Sequence, residues 1–259
     1  MSDYLDVLAR VAQINIDDGY YDKVQPREST RVSLKQAILG CKVTPIISEI
    51  KAASPSAGTI RKDVDASKVA KAMKRGGAAA LSVLTEPKQF SGSLEALAQA
   101  CKVVKLPILM KDIILSPVQI QAASKLGADA VLLIKTVFDR SYSEKTVDEM
   151  IAGAHALGLE VLLETHTEAE FLSAVSTGAD LIGINNRNLA TLKVDLSVTK
   201  NILSKNGSNG KPVVSESGID TPADVRFLHK NGAQAFLIGS AIMSSGDIEE
   251  KVREFVNAK

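Results

Sequence analysis

The sequence predicts an α/β fold, a closed (β/α)8 barrel of eight parallel strands surrounded by helices. From about residue 45 onward, short apolar runs alternate with amphipathic stretches of helical period, which is the pattern of repeated βα units. Several runs, such as residues 131–134, are apolar almost throughout, as expected for strands buried on both faces. A chain of 259 residues also has the usual size of such a barrel.

Eight runs qualify as strands, and their order sets the architecture. An open doubly wound sheet is the alternative, but it leaves exposed edges and often carries a Gly-rich phosphate motif after its first strand. The segment after Ile50 lacks that motif, so the sequence favours the closed TIM barrel. The predicted strands are Ile46–Ile50, Leu81–Leu84, Pro107–Met110, Ala130–Ile134, Glu160–Leu163, Leu181–Ile184, Pro212–Ser215 and Ala235–Ile238.

Helix boundaries are marked by capping residues. Glycines precede four of the predicted strands, and we expect each to supply a left-handed helix cap. They belong to the pairs Gly76-Gly77, Gly127-Ala128, Gly178-Ala179 and Gly232-Ala233. Helix starts are predicted where a hydroxyl side chain precedes an acid or amide by three residues, at Ser116, Thr167 and Thr221.

Residues 1–44 precede the first predicted strand and have a helical periodicity of their own, at residues 5–8 and 34–39. This segment is too short to form a separate core. We therefore expect an N-terminal helical extension packed on the barrel, within one domain spanning residues 1–259.

The composition excludes several classes of protein. Thirty-one Lys and Arg residues balance thirty Asp and Glu residues, so no overall field attracts nucleic acid or a membrane, and any anion must be bound locally. No leader or membrane segment is evident, and we expect a cytoplasmic protein. Cys41 and Cys101 fit no disulfide or metal pattern, and His155, His166 and His229 lack ligand spacing, so we expect reduced cysteines and no metal.

Charged or amide side chains follow five of the predicted strands, at the barrel end where such folds carry their chemistry. Glu49 and Lys51 fall on one face of the first strand by the two-residue period. A solvated strand end or an ion pair explains any one of these residues, but their convergence predicts acid and base chemistry. The others are Lys111, Glu164, Asn185 with Arg187, and Glu216.

The loops after the last two strands indicate a phosphate site. Ser217-Gly218 and Gly239-Ser240 offer backbone amides without side-chain bulk, in the usual phosphate-binding position of the fold. A plain turn is the alternative. The position of Gly239-Ser240, ahead of a short helical stretch, favours phosphate binding.

Several of these residues lie in segments that resemble a known family. Glu49, Lys51 and Ser54-Pro55-Ser56 match the E-x-K-x-x-S-P-S signature of indole-3-glycerol phosphate synthases. The resemblance covers roughly residues 30–255, and the surroundings of Glu164 resemble the family's fifth strand. The other matching segments are residues 81–85 with Phe90, 107–112, 182–189, 216–219 and 236–240.

Two positions depart from the family pattern. Ile113 stands where the family usually has Phe, which would alter the packing of the substrate's aromatic ring. Lys135, at the end of the fourth predicted strand, matches no family motif, and we expect it to be a solvated charge.

The resemblance implies a reaction without a cofactor, catalysed by a monomer. Its phosphorylated small-molecule substrate is 1-(2-carboxyphenylamino)-1-deoxyribulose 5-phosphate, from which an enzyme of tryptophan biosynthesis closes the indole ring with loss of CO2 and water. Lys111 would protonate the C2 carbonyl oxygen, and Lys51 with either Glu164 or Glu49 would supply the later acid and base. The sequence does not decide which carboxylate is the base.

The remaining site residues would bind the substrate. Asn185 and Glu216 would hold its hydroxyl groups or orient the lysines, and Arg187 would add a cation near an anionic group. Phe90 and the barrel wall, including Leu133, would either contact the aromatic ring or belong to the core. The residues expected around the phosphate and its neighbouring atoms are Ser217, Gly218, Gly239 and Ser240, and Ser54 of the signature is a further expected substrate-binding residue.

Two other functions remain compatible with these residues. In a Schiff-base aldolase, Lys111 would be a nucleophile rather than an acid. A barrel that binds a phosphorylated ligand without turnover is the second alternative, which the full set of Glu and Lys residues disfavours.

Overall fold

The computed structural model describes residues 3–22, 24–27, 30–54 and 58–258. Each barrel strand pairs in parallel with its neighbours in the chain, and the last strand pairs with the first. The prediction of a closed (β/α)8 barrel is therefore confirmed. Its strands are β1 (Ile46–Ile50), β2 (Ala80–Leu84), β3 (Ile108–Lys111), β4 (Ala130–Ile134), β5 (Glu160–Thr165), β6 (Leu181–Asn185), β7 (Val213–Glu216) and β8 (Ala235–Ile238).

Four strands continue past the apolar run that predicted them. Lys111, Asn185 and Glu216 are the last residues of β3, β6 and β7, and β5 extends to Thr165. The backbone ladder continues through these residues because its hydrogen bonds do not depend on side-chain polarity. The polar groups therefore stand on the rigid barrel rather than on loops.

The helices alternate with the strands after an N-terminal pair. Ser116, Thr167 and Thr221 cap α5, α8 and α10 as predicted. A short antiparallel hairpin, Ala53–Ser54 with Gly58–Thr59, lies outside the barrel. The helices are α1 (Tyr4–Asp17), α2 (Leu34–Leu39), α3 (Ala66–Arg75), α4 (Leu94–Val103), α5 (Pro117–Leu126), α6 (Lys135–Asp139), α7 (Val147–Ala156), α8 (Glu168–Val175), α9 (Ser197–Leu203), α10 (Pro222–Lys230), α11 (Ser240–Met243) and α12 (Ile248–Val256).

Three of the four expected left-handed glycine caps are present. Gly77, Gly127 and Gly232 have φ values of 96°, 89° and 102°. The prediction is wrong for Gly178, whose φ is not positive. Helix α8 ends earlier, at Ser176, and the N–H groups of Ser176 and Thr177 bond back to carbonyls of its last turn, so no left-handed residue is needed.

One apolar layer lies between the strands and the helices, and a second fills the inside of the barrel. Residues such as Val131 and Leu133 face the helices, whereas Leu132 and Ile134 belong to the cluster inside the barrel. This alternation is the two-residue period of a strand. The barrel interior is thus packed with side chains, and a cavity can open only at its ends.

The N-terminal helices contact both ends of the barrel. Asn15 of α1 donates to Glu86 in the loop after β2, at the carboxyl ends of the strands. Near α2, the backbone N–H of Lys35 donates to Glu160, the first residue of β5. Within the described ranges, none of the helices combines the length and apolar character needed to cross a membrane.

Candidate active site

A cavity opens at the carboxyl ends of the strands and brings the predicted site residues together. All thirteen line it, whereas Pro55 and Ser56 of the sequence signature lie outside the described residues. The thirteen are Glu49, Lys51, Ser54, Phe90, Lys111, Glu164, Asn185, Arg187, Glu216, Ser217, Gly218, Gly239 and Ser240.

The first ion pair of the cavity joins Glu49 and Lys51. Lys51 Nζ lies 2.7 Å from Glu49 Oε1, and the Glu49 side chain is 3% exposed. Gly239 makes room for this pair, since a Cβ there would overlap Glu49 Oε1 and lie 3.0 Å from Lys51 Nζ. The Glu49–Lys51 pair can therefore take this position only because residue 239 has no side chain.

The second charged group consists of Lys111 between two buried carboxylates. Lys111 Nζ lies 3.5 Å from Glu164 Oε2 and 4.0 Å from Glu216 Oε2. Burial lowers the pKa of Lys111, but the carboxylates of Glu164 and Glu216 outweigh it and raise the pKa above its ordinary value. Lys111 is therefore an ammonium ion at neutral pH.

The two carboxylates next to Lys111 differ in protonation. Burial would raise the pKa of Glu164, but the charges of Lys111 and His166 hold it below its ordinary value. Burial and the neighbouring Glu164 raise the pKa of Glu216 well above its ordinary value. One cavity thus holds an ionised carboxylate beside one that retains a proton more readily, the separation that acid and base chemistry needs.

The loops after β6 and β7 form another side of the cavity. Ser217 and Gly218 have φ values of 67° and 76°, and this left-handed pair turns the chain beside the opening. Asn186 holds the turn, because its side-chain amide donates to the carbonyls of Glu216 and Ser217 at 2.9 and 3.2 Å. Half-buried Arg187 completes this side as a cation.

An apolar wall lies on another part of the cavity. Phe90, Ile113 and Ile134 belong to it, together with Tyr4 and Leu8 of helix α1. The sequence reasoning missed Tyr4 and Leu8 because an amphipathic helix shows that one face is buried but not what it covers. Their spacing of four residues, one helical turn, was the available signal.

Of the two roles left open for Leu133 the structure shows the core role, and the expectation that Lys135 is a solvated charge is wrong. Leu133 faces the helices rather than the cavity, since strand alternation directs Ile134 inward instead. Lys135 is not a solvated charge, because its side chain is 9% exposed and paired with Asp139. Helix α6 begins directly at Lys135, which places Asp139 one turn away on the same face.

In the described part of the chain, no group of three or more His, Cys, Asp or Glu side chains is arranged to hold a metal ion. Cys41 and Cys101 are free thiols. The chemical groups that line the cavity include carboxylates, ammonium groups, a guanidinium group, an amide and hydroxyl groups.

Comparison with known proteins shows the family of the chain. Residues 5–255 match the family model described as indole-3-glycerol phosphate synthase. The chain is 45% identical over 207 residues to the indole-3-glycerol phosphate synthase of Neisseria meningitidis serogroup B, covering 80% of this chain and 77% of the relative. It is 45% identical over 237 residues to that of Methanocaldococcus jannaschii, covering 90% and 86%.

More distant solved structures share only the fold. The N-acetylmannosamine-6-phosphate 2-epimerase of Clostridium perfringens aligns with a TM-score of 0.62 at 17% identity, over 83% of this chain and 93% of that one. The thiamine phosphate pyrophosphorylase of Pyrococcus furiosus aligns with a TM-score of 0.60 at 18% identity, over 85% and 96%.

Proposed function

The chain belongs to the indole-3-glycerol phosphate synthase family, and we propose how its cavity closes the indole ring. The reaction converts 1-(2-carboxyphenylamino)-1-deoxyribulose 5-phosphate to indole-3-glycerol phosphate, with loss of CO2 and water, in tryptophan biosynthesis. The ring-closing carbon, the carbonyl and the phosphate of this substrate need three different environments.

The cavity offers these environments at different positions. We place the phosphate against the backbone of Gly218, Gly239 and Ser240, with Arg187 as a nearby cation. The aromatic ring then lies on the apolar wall formed by Leu8, Phe90 and Ile113, which favours a flat apolar group. The carbonyl between them faces the buried charges.

Lys111 acts as the general acid of ring closure. Attack of the aromatic carbon on the C2 carbonyl would leave an alkoxide, which is far more basic than an ammonium group. The carboxylates around Lys111 keep it protonated until that charge develops, so its raised pKa suits this role. The same feature disfavours a Schiff-base aldolase, which requires a neutral amine.

Glu164 is the base that we propose for the final step. Once Lys111 has given its proton to the alkoxide, one of the two positive charges that lower the pKa of Glu164 is gone and that of His166 remains. The carboxylate becomes more basic when a proton must leave the carbon next to the departing hydroxyl. Lys51, paired with Glu49, is placed to protonate that hydroxyl so that it leaves as water.

The observation that carries this mechanism is the position of Lys111 between Glu164 and Glu216 in the cavity. The test is incubation of the purified chain with the synthetic substrate and no added metal, following the fluorescence of indole-3-glycerol phosphate. We expect turnover without a covalent adduct. Absence of product would reject the function, and borohydride trapping of a Lys111 adduct would favour the aldolase.

We also propose that the enzyme is a monomer of the cytoplasm. Residues of one chain supply the charged groups, the loops and the apolar wall, so the site needs no second copy. Light scattering at assay concentration should give the mass of one chain, and a concentration-dependent rise in specific activity would contradict this.

A further inference from the structure

His166 lies directly behind Glu164 and outside the set of side chains that line the cavity. It follows β5 and packs against helix α8, with a side chain 10% exposed. Its Nε2 is 3.3 Å from Glu164 Oε1, and its Nδ1 is 3.6 Å from Glu170 Oε2. The imidazole ring therefore stands between two carboxylates that face its opposite nitrogens.

The two carboxylates favour a charged imidazole ring by electrostatic attraction rather than by hydrogen bonds, since neither ring nitrogen has a hydrogen-bond partner among the described residues. A neutral imidazole carries one N–H and one lone pair, so one carboxylate would face a lone pair. The imidazolium form places a positive charge between the two carboxylates. Burial lowers the pKa of His166, but Glu164 and Glu170 outweigh it and raise the pKa to about 9.

Hydrogen bonds hold the Glu170 carboxylate beside this ring. Glu170 accepts hydrogen bonds from the backbone N–H of His166 at 2.7 Å and from the hydroxyl of Thr136 at 3.0 Å. On the far side of Glu164, Oε2 faces Lys111 at 3.5 Å. The two oxygens of Glu164 thus face two different cations, one in the cavity and one behind it.

We infer that His166 is a positioning residue for the ring-closing reaction, a buried imidazolium that holds Oε1 of Glu164 so that Oε2 faces the substrate. This rests on the proposed function, in which Glu164 is the base. When Lys111 gives up its proton, His166 is the cation that still keeps the carboxylate oriented. Without it, Glu164 would be a buried carboxylate with neither of these two cations beside it.

The first test is the titration of His166 itself, which needs no turnover. The chain has three histidines, so selective 15N labelling of their side chains gives three resolvable signals. His155, 41% exposed and paired with Asp180 at 2.9 Å, is the matched control for a His-carboxylate pair away from the cavity. We expect His166 to carry both protons at pH 7. A neutral His166 at that pH would overturn the inference.

The second test separates positioning from a structural role. In His166→Gln, we expect kcat to fall about tenfold or more while KM stays within about threefold. The acid limb of the kcat profile should move upward by about one pH unit, because Glu164 loses a cation that lowers its pKa. His155→Gln should change neither. An unmoved acid limb and a kcat within twofold of wild type would overturn the inference.

A milder variant covers the case in which His166→Gln does not fold. Glu170→Gln keeps the hydrogen-bond acceptor for the His166 backbone but removes one of the two carboxylates beside the imidazole ring. The pKa of His166 should therefore fall by about one unit. An unchanged titration in this variant would also overturn the inference. Turnover by the wild-type chain tests the proposed function separately. If the wild type makes product and His166→Gln makes it equally fast, only the inference about His166 is refuted.

Discussion

Lys111 and Asp112 are neighbours in the chain, yet they belong to two buried charged groups of different kinds. Lys111 lies in the cavity with Glu164 and Glu216, where Glu164 Oε2 and both oxygens of Glu216 have no hydrogen-bond partner in the described part of the chain. Asp112 points away from it, into a polar cluster beneath the N-terminal segment. The two groups are adjacent but differ in how their polar atoms are satisfied.

We call the second group the anchor cluster, and its carboxylates are fully engaged. Asp112 accepts from the Tyr21 hydroxyl at 3.1 Å, from the Thr85 hydroxyl and from a backbone N–H. Glu86 accepts from Asn15 at 3.2 Å and from three backbone N–H groups in the loop that carries Phe90. Buried carboxylates whose oxygens all have hydrogen-bond partners stabilise a structure. Carboxylates beside a cavity that lack such partners are available to bind a ligand.

The largest expected effect tests the cavity side of this comparison. Lys111→Ala should lower kcat by about a thousandfold or more, because the alkoxide of ring closure loses its proton donor. Substrate affinity should stay within about tenfold, since phosphate and ring contacts are untouched. Single-turnover kinetics with equilibrium binding would measure both. Near-normal turnover would exclude Lys111 as the acid.

The next effect tests the anchor cluster through pH. Burial raises the pKa of Asp112 from 3.8 to about 6. The folded state therefore binds the proton more tightly, and this stabilisation is complete below pH 3.8 and lost as the pH rises through 6. In Asp112→Asn this contribution is absent. Between pH 4 and 7, wild type should lose about 2 kcal/mol of unfolding free energy relative to the variant.

Urea denaturation of both proteins across that pH range measures the difference. Because other groups titrate equally in both, the gap between the two curves isolates Asp112. A gap that does not change with pH would show that Asp112 is ionised equally in the folded and unfolded states. Turnover of Asp112→Asn at pH 7 should remain far above that of Lys111→Ala.

A substitution at Gly239 tests whether the charged groups of the cavity also depend on the absence of a side chain at this position. Its φ of −118° suits any residue, so Gly239→Ala introduces a steric effect without backbone strain. The new Cβ displaces the Glu49–Lys51 pair, and we expect kcat/KM to fall about tenfold or more with little change in unfolding free energy. Gly246→Ala, where a Cβ would meet nothing within 4 Å, is the matched control. Equal activity of the two variants would show that the Glu49–Lys51 pair does not need the space left by Gly239.

These two regions also show what the sequence could predict. Repeated apolar runs and polar residues at their ends predicted the barrel and the charged and amide groups at the strand ends of the cavity, because both depend on local pattern and known strand geometry. Asp220 and Tyr4, which also line the cavity, were not predicted. The anchor cluster was not predicted. Its contacts join Asn15 to Glu86 and Tyr21 to Asp112, across 71 and 91 residues, and no local pattern encodes such pairs.

The same limit explains the individual errors. The role of Leu133 was left open between the ring-binding wall and the core, because a fully apolar strand does not reveal which alternate residues face inward. Lys135 was expected in solvent because a charge after a strand suggests a loop, whereas a helix begins there at once. Tyr4 and Leu8 were missed since only tertiary packing places helix α1 over the cavity.

The smallest expected effect concerns the apolar wall, where the two regions meet. Ile113 lines the cavity and follows Asp112, and a second small cavity adjoins it between Leu84, Phe90 and Ile134. Ile113→Phe should fill that space and add a ring contact to the substrate, lowering KM by about two- to fivefold without changing kcat. Ile113→Leu, which conserves volume, should leave KM within about twofold. If Ile113→Phe instead lowered kcat more than tenfold at constant KM, the residue would act on the position of Lys111 through Asp112, and the two buried groups would be coupled rather than separate.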